Sequence, residues 1–172
     1  MEKTNRREHI LEKIRAAKKP ISATTLATHF NVSRQVIVGD IALLRANGVD
    51  IIATARGYIV PEERDAHQHL GKIACVHKPE ETKFELYDMV DLEAVVVDVV
   101  VEHDVYGEIT GQLNLRTRAD VDNFILRVAR SEVKLLSELT NGIHLHTIAC
   151  RDKNHFDAVC KKLKDSGYLL AD

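Results

Sequence analysis

The run Ala94-Val95-Val96-Val97-Asp98-Val99-Val100-Val101 constrains this chain more than any other stretch. Six of its eight residues are valine. β-Branched side chains are stiff at χ1, which disfavours a helix and favours a pleated surface. With one polar residue in the run there is little alternation. It therefore reads as a strand, Leu92 to His103, buried on both faces. Such a strand needs sheet partners and covering layers. The flanking sequence supplies both. Lys72 to His77 predicts a strand. Pro79 to Asp91 predicts a helix with Phe84, Tyr87 or Asp88, and Val90 near its inner face. Asp104 to Gly107 turns the chain into a second strand, Glu108 to Leu115. Ala119 to Ala129 is amphipathic, with Val121, Phe124, Ile125 and Val128 inward. Ile143 to Cys150 is a strand, Asn154 to Ser166 a helix ended by Gly167, and Tyr168 to Ala171 a last short strand. The first six elements spell β-α-β-β-α-β, the order of a ferredoxin-like split βαβ in an α+β layer.

The N-terminal third has a different texture. Arg6 to Ala17 is a helix with the apolar stripe Ile10, Leu11, Ile14, stopped at Lys18-Lys19-Pro20. Ser22 is positioned to cap a short helix that buries Leu26, Ala27 and Phe30. Asn31-Val32 breaks it, and Asn tolerates the left-handed conformation of a tight turn. Ser33 caps a third helix, Arg34 to about Asn47, whose core face is Ile37, Ile41 and Leu44. Gly48 closes it. Val49–Ile52 and Tyr58–Val60, joined across Ala53–Gly57, read as a hairpin. Gly39 is out of place in mid-helix, where Gly costs about 1 kcal/mol relative to Ala.

Three helices and a hairpin make the winged helix-turn-helix layout, in which the third helix can enter a major groove. Charge agrees. Residues 1–60 carry ten Lys/Arg against five Asp/Glu, a net of +5, and the remainder carries 14 against 21, a net of −7. A basic unit joined to an acidic one implies two domains with different partners, the basic one facing a polyanion. The expected organisation is residues 1–60 as the DNA-binding domain, 61–70 as a charged linker and 71–172 as a second domain. Gln35 can bond adenine and Arg34 guanine, and Ser33 or the helix N-terminus can hold a phosphate. Of Val36 and Val38, one can pack in the core, and an exposed one can touch thymine methyls. Arg56 at the wing tip can reach the backbone or a minor groove. Arg6, Arg7, Lys18 and Lys19 read as phosphate contacts or solvated charge.

Other classes are set aside by composition. No apolar run approaches the ~18 residues of a membrane span, and no secretory signal opens the chain. Cys75, Cys150 and Cys160 are odd in number and suit a reducing cytoplasm. No Gly-rich phosphate loop or supported nucleophile–base pair marks an enzyme.

The N-terminal segment resembles the helix-turn-helix of bacterial repressors and of bifunctional biotin ligases. The resemblance is carried by Ile21-Ser22, Leu26-Ala27, Val32-Ser33-Arg34-Gln35, Asp40-Ile41, Leu44-Arg45, Gly48 and Gly57-Tyr58.

The second domain holds an unusual pair. In Ile143-His144-Leu145-His146-Thr147-Ile148, period two puts His144 and His146 on one face. Two imidazoles on a rigid strand make a natural pair of metal ligands; the alternative is a solvated polar face. His77 ends the first strand and Glu85 follows in the next helix, so both can lean over one spot. Three nitrogens and one oxygen suit zinc, nickel or another borderline divalent ion. Taken singly, Glu85 also completes a capping box with Thr82, and His77 also fits an ordinary strand end.

From Lys72 onward the chain resembles the three-histidine domain of NiaR-type repressors, nicotinate-responsive regulators of NAD synthesis and salvage. The residues carrying this are His77, Glu85-Leu86, Asp98-Val99, His103-Asp104-Val105-Tyr106-Gly107-Glu108, Leu135 to Thr140 and Gly142 to Ile148. The resemblance implies a nickel or zinc ion on His77, Glu85, His144 and His146. It also implies nicotinic acid as co-repressor, a homodimer and a palindromic double-stranded operator. His103 and Tyr106 are then candidates for the effector, or His103 serves the turn backbone. A second reading makes the ion itself the signal. Asp104 stands where relatives often have proline.

Overall fold

The computed structural model describes residues 3–61 and 69–170. It divides into two compact units, residues 1–64 and 65–172.

The first unit is three helices and a wing. α1 spans Lys3–Ala16, α2 Ala23–Phe30 and α3 Arg34–Ala46. Ser22 and Ser33 cap as their positions require, accepting from Thr25 N at 3.0 Å and Val36 N at 3.3 Å. Asn31 takes φ 51°, the left-handed turn between α2 and α3. Ile10, Ile14, Leu26, Ile37, Ile41, Leu44 and Ile51 form the core. Arg6 does not serve as a free surface charge. Its guanidinium grips Asp40 with two bonds, 2.7 and 3.3 Å long, and ties α1 to α3.

The wing is tighter than the expected hairpin. β1 is Ile52–Thr54 and β2 Gly57–Ile59, so only Ala55 and Arg56 form the turn, and Val49–Ile51 precedes the strands. Thr54 sets this turn, its hydroxyl accepting from Arg56 N at 3.1 Å and donating to Gly57 O at 2.8 Å. Ile21 adds to the pair, exchanging two backbone bonds with Tyr58. That pairing needs a glycine at 57, because a Cβ there would stand 2.4 Å from the Ile21 carbonyl.

The second unit runs β3 His69–Val76, α4 Thr82–Val90, β4 Val95–His103, β5 Gly107–Leu115, α5 Arg118–Arg130, β6 Ile143–Cys150 and α6 Lys153–Asp165. His69 and Leu70, expected in the linker, open β3; residues 62–68 of that linker lie outside the described residues. The sheet order is β3-β6-β4-β5, antiparallel throughout. The βαββαβ order is the expected one, in an α+β unit. The split between β3 and β4 is filled by β6, where the ferredoxin-like arrangement uses the third strand. The tight β4–β5 turn keeps β5 beside β4 in either arrangement; here β5 pairs with the outer side of β4, and β6 takes the place between β3 and β4. Tyr168 to Leu170 extends the β3 edge through Val76 N to Tyr168 O and Leu170 N to Ala74 O, both 2.9 Å.

Two expectations change here. The valine run is not buried on both faces. Val96, Val100 and Val101 are buried, while Val95, Val97 and Val99 are half-buried. An antiparallel sheet needs only one face covered. α4 is also turned differently. Phe84 is 57% exposed and Glu85 is 0% exposed, because Thr82, Glu85, Leu86, Met89 and Val90 form its inner stripe.

Candidate metal centre and nucleic-acid interface

The register of the sheet builds the centre. Cys75 pairs with His144 and Ile73 with His146, so β3 and β6 present their alternate residues together. His77 follows just past the end of β3. Glu85, in the first turn of α4, comes down among them. His77 Nε2 lies 2.9 Å from Glu85 Oε2, His144 Nε2 3.1 Å from Oε1 and His146 Nε2 3.4 Å from Oε2. All four residues predicted as ligands are therefore brought together, each at 9% exposure or less. Glu85 is not spent on a cap; Glu81 does that work, accepting from Lys78 N at 2.9 Å.

Each imidazole is oriented by backbone. Nδ1 of His77, His144 and His146 meets the carbonyls of Lys78, Gly142 and Asp98 at 2.9, 2.8 and 2.7 Å. A carbonyl only accepts, so Nδ1 carries the proton in each ring. In neutral rings all three Nε2 lone pairs then aim at a carboxylate that also only accepts. Among the described residues, His77 Nε2 and Glu85 Oε2 are buried with no hydrogen bond. Either protons or a cation must relieve this convergence. The proton solution shows in the electrostatics. Burial pushes the Glu85 carboxyl up, but His146, His144 and His77 outweigh it and hold it well below the usual range. Burial pushes His77 and His146 down, and Glu85 overrides it and raises both. The cation solution fits the three Nε2–Glu85 spacings, since donors ~2.1 Å from one ion stand roughly 3.0–3.4 Å apart; among the described residues, the donor atoms that lie within 4.8 Å of one another are those of Cys75, Glu85 and His144. Nδ1–H held by a carbonyl is the usual second shell of a ligating histidine.

The bulge of β4 between Val96 and Asp98 supplies one of these supports. It lets Asp98 take His146 on its carbonyl and Thr147 N, 3.0 Å away, on its side chain.

Cys75 was missed by the sequence reading. It is fully buried, and its donor atom lies with those of Glu85 and His144, all within 4.8 Å of one another. Burial and Glu85 push its thiol up. The signal was there: two residues before His77, period two puts Cys75 on the same face.

His103 and Tyr106 sit at the β4–β5 turn. His103 Nδ1 accepts from Val105 N at 3.1 Å and Tyr106 N at 3.3 Å, and its ring lies 5.2 Å from that of Tyr106. Among the described residues, these contacts of His103 are with its own turn, and Tyr106 is 78% exposed.

On the first unit, Arg34 and Gln35 are exposed at the start of α3, Val38 is half-buried and Ser33 is engaged as the cap. Arg56 joins Lys18, Lys19, Ser22 and Thr25 around a concavity of about 600 Å³. Basic groups beside an exposed helix suit a nucleic-acid backbone.

A winged helix-turn-helix followed by an α+β unit with a buried histidine cluster defines a DNA-binding regulator. Residues 6–59 match the HTH domain family and residues 71–172 the 3H domain family. The transcription repressor NadR of Bacillus subtilis is 42% identical over 170 residues, 98% of this chain and 94% of its own length. The probable transcription repressor NiaR of Thermotoga maritima is 39% identical over 171 residues, 98% of this chain and 97% of its own. The chain belongs to this family of 3H-domain transcription repressors. Its relatives are named as repressors and not as enzymes. No helix among the described residues is long and apolar enough to cross a membrane.

Proposed function

We propose that this protein represses genes of NAD synthesis and nicotinate salvage, with nicotinic acid as co-repressor held beside a divalent nickel or zinc ion. The observation that carries the metal is the convergence of three Nε2 atoms on Glu85 while every Nδ1 is committed to a carbonyl. The nicotinate assignment rests on the resemblance of residues 72–172 described above.

His77, His144 and His146 would hold the ion through Nε2, and Glu85 would offset part of its charge. Their burial excludes water from the centre. Once bound, the ion supplies a Lewis-acid anchor for a carboxylate. The effector must then bind one dimer geometry more tightly than the other, because only differential affinity shifts an equilibrium. In the favoured geometry the two α3 helices stand about one DNA turn, ~34 Å, apart on a palindromic operator.

One observation favours the second reading, in which the ion itself is the signal. All four donors are at 9% exposure or less, which leaves little open surface for an organic ligand. Metal analysis of the purified protein, then gel shifts with chelator, metal and nicotinate added separately, distinguishes the two. Repression-competent binding that needs nicotinate supports the first reading. Binding switched by metal alone supports the second. Absence of bound metal, with no response to any addition, overturns both.

A further inference from the structure

The outward face of α3 carries no charge. Gln35, Gly39, Ala42 and Ala46 recur at i, i+4, i+7 and i+11, and all are exposed. This is the periodicity of the core face Ile37, Ile41 and Leu44 shifted by two residues, or about 200° around the helix. Beside them stand Val36, 37% exposed, and Leu43, 50% exposed. Arg34 and Arg45 lie together along one flank instead. Gly39 is at the middle of the face. A Cβ built on it meets nothing within 4 Å among the described residues. The fold therefore gives no reason for a glycine there, although Ala would favour the folded helix about fivefold.

We propose that Gly39 is a close-approach position, where the backbone of α3 seats against the floor of the major groove, and that Val36 and Leu43 read thymine methyl groups on either side of it. This rests on the reading of the protein as a DNA-binding repressor. The methyl is the one apolar feature of the groove, and an apolar side chain is its complement. A side chain at position 39 would hold the helix off the bases by the width of a methyl. The flanking arginines then hold backbone, which positions the helix without reading sequence.

The probe is a duplex enriched from a random-sequence pool by the full-length protein, with nickel or zinc and nicotinic acid present. Replacing deoxythymidine by deoxyuridine removes only the C5 methyl. Substitution at the contacted positions should weaken wild-type binding about fourfold per methyl. The same substitution should have no effect on Val36→Ala or Leu43→Ala at the position that side chain reads. Gly39→Ala should raise the thermal midpoint and weaken binding at least tenfold. A purely structural glycine would move stability and leave affinity alone. The inference is overturned by wild-type affinity that deoxyuridine does not change, or by a Gly39→Ala protein that binds as well as wild type. If no duplex is enriched at all, the DNA-binding reading falls and this inference with it.

Discussion

Gly142 couples two of the histidines, and Gly142→Ala measures how tightly. Its φ of +92° is one that an L side chain adopts at a cost of about 1–2 kcal/mol. A Cβ there would also stand 2.3 Å from the carbonyl oxygen of His77. Real Cβ contacts stop near 3.0 Å, so the two segments must part by ~0.7 Å. The obstacle is backbone and cannot rotate away, which adds about 1–3 kcal/mol. The movement reaches the centre by two routes. One is the backbone of His77 itself; the other is the Gly142 carbonyl that holds His144 Nδ1 at 2.8 Å. A metal site tolerates about ±0.2 Å in its ligand distances, several times less than this displacement. We expect metal affinity to fall at least tenfold, the scale of outer-shell lesions. The metal-free protein should lose about 2–5 kcal/mol. Gly167→Ala is the control, since its φ is +83° with open space around it, so it bears the conformational cost alone. Chelator-competition titration reads the affinity and thermal melting reads the stability. If Gly142→Ala lowers stability but binds metal within twofold of wild type, the coupling through His77 and His144 is wrong.

Three further outcomes follow from the geometry. Arg6→Ala strands the Asp40 carboxylate at 6% exposure and should cost about 2–4 kcal/mol in denaturant unfolding; a loss below about 0.5 kcal/mol would contradict the packing of α1 on α3. The metal-free centre should be most stable between about pH 4.5 and 6.5. Glu85, held below its ordinary 4.5, loses its contribution as pH falls through its folded value; His77 and His146, raised above 6.5, lose theirs as pH rises through their folded values. With nickel or zinc the trend above pH 6.5 should reverse, because protons no longer compete for Nε2; melts with and without chelator that run parallel with pH would contradict this. His103→Ala should cost about 1 kcal/mol through the two turn N–H groups it leaves without an acceptor, and should leave metal affinity unchanged. A lost nicotinate response in that variant would instead place the effector at the β4–β5 turn.

Legibility in the sequence followed the range of the interactions. Ser22, Asn31, Ser33 and Gly48 act on backbone a few residues away, so the first unit was readable almost to its helix ends. The face shared by His144 and His146 was readable from period two alone. Other features depend on partners distant in sequence. The Arg6–Asp40 pair spans 34 residues. The rotation of α4 that buries Glu85 and exposes Phe84 is decided by what the sheet offers, and Glu81 freed Glu85 from capping in a way that local spacing did not distinguish. Half-burial of the valine run likewise follows from which sheet face the helices cover. Cys75 was readable in principle, but only once His77 was taken with its strand rather than alone.

The central claim is that the histidine cluster of the second unit controls DNA binding by the first. Operator affinity of chelator-stripped wild type and His146→Ala, titrated with nickel or zinc and then with nicotinic acid, tests it most directly. Wild type should tighten on DNA only when metal and nicotinate are both present, while His146→Ala, folded by its melting profile, should keep one low affinity throughout. Equal tightening of the two proteins, or a wild type that ignores both additions, would contradict it.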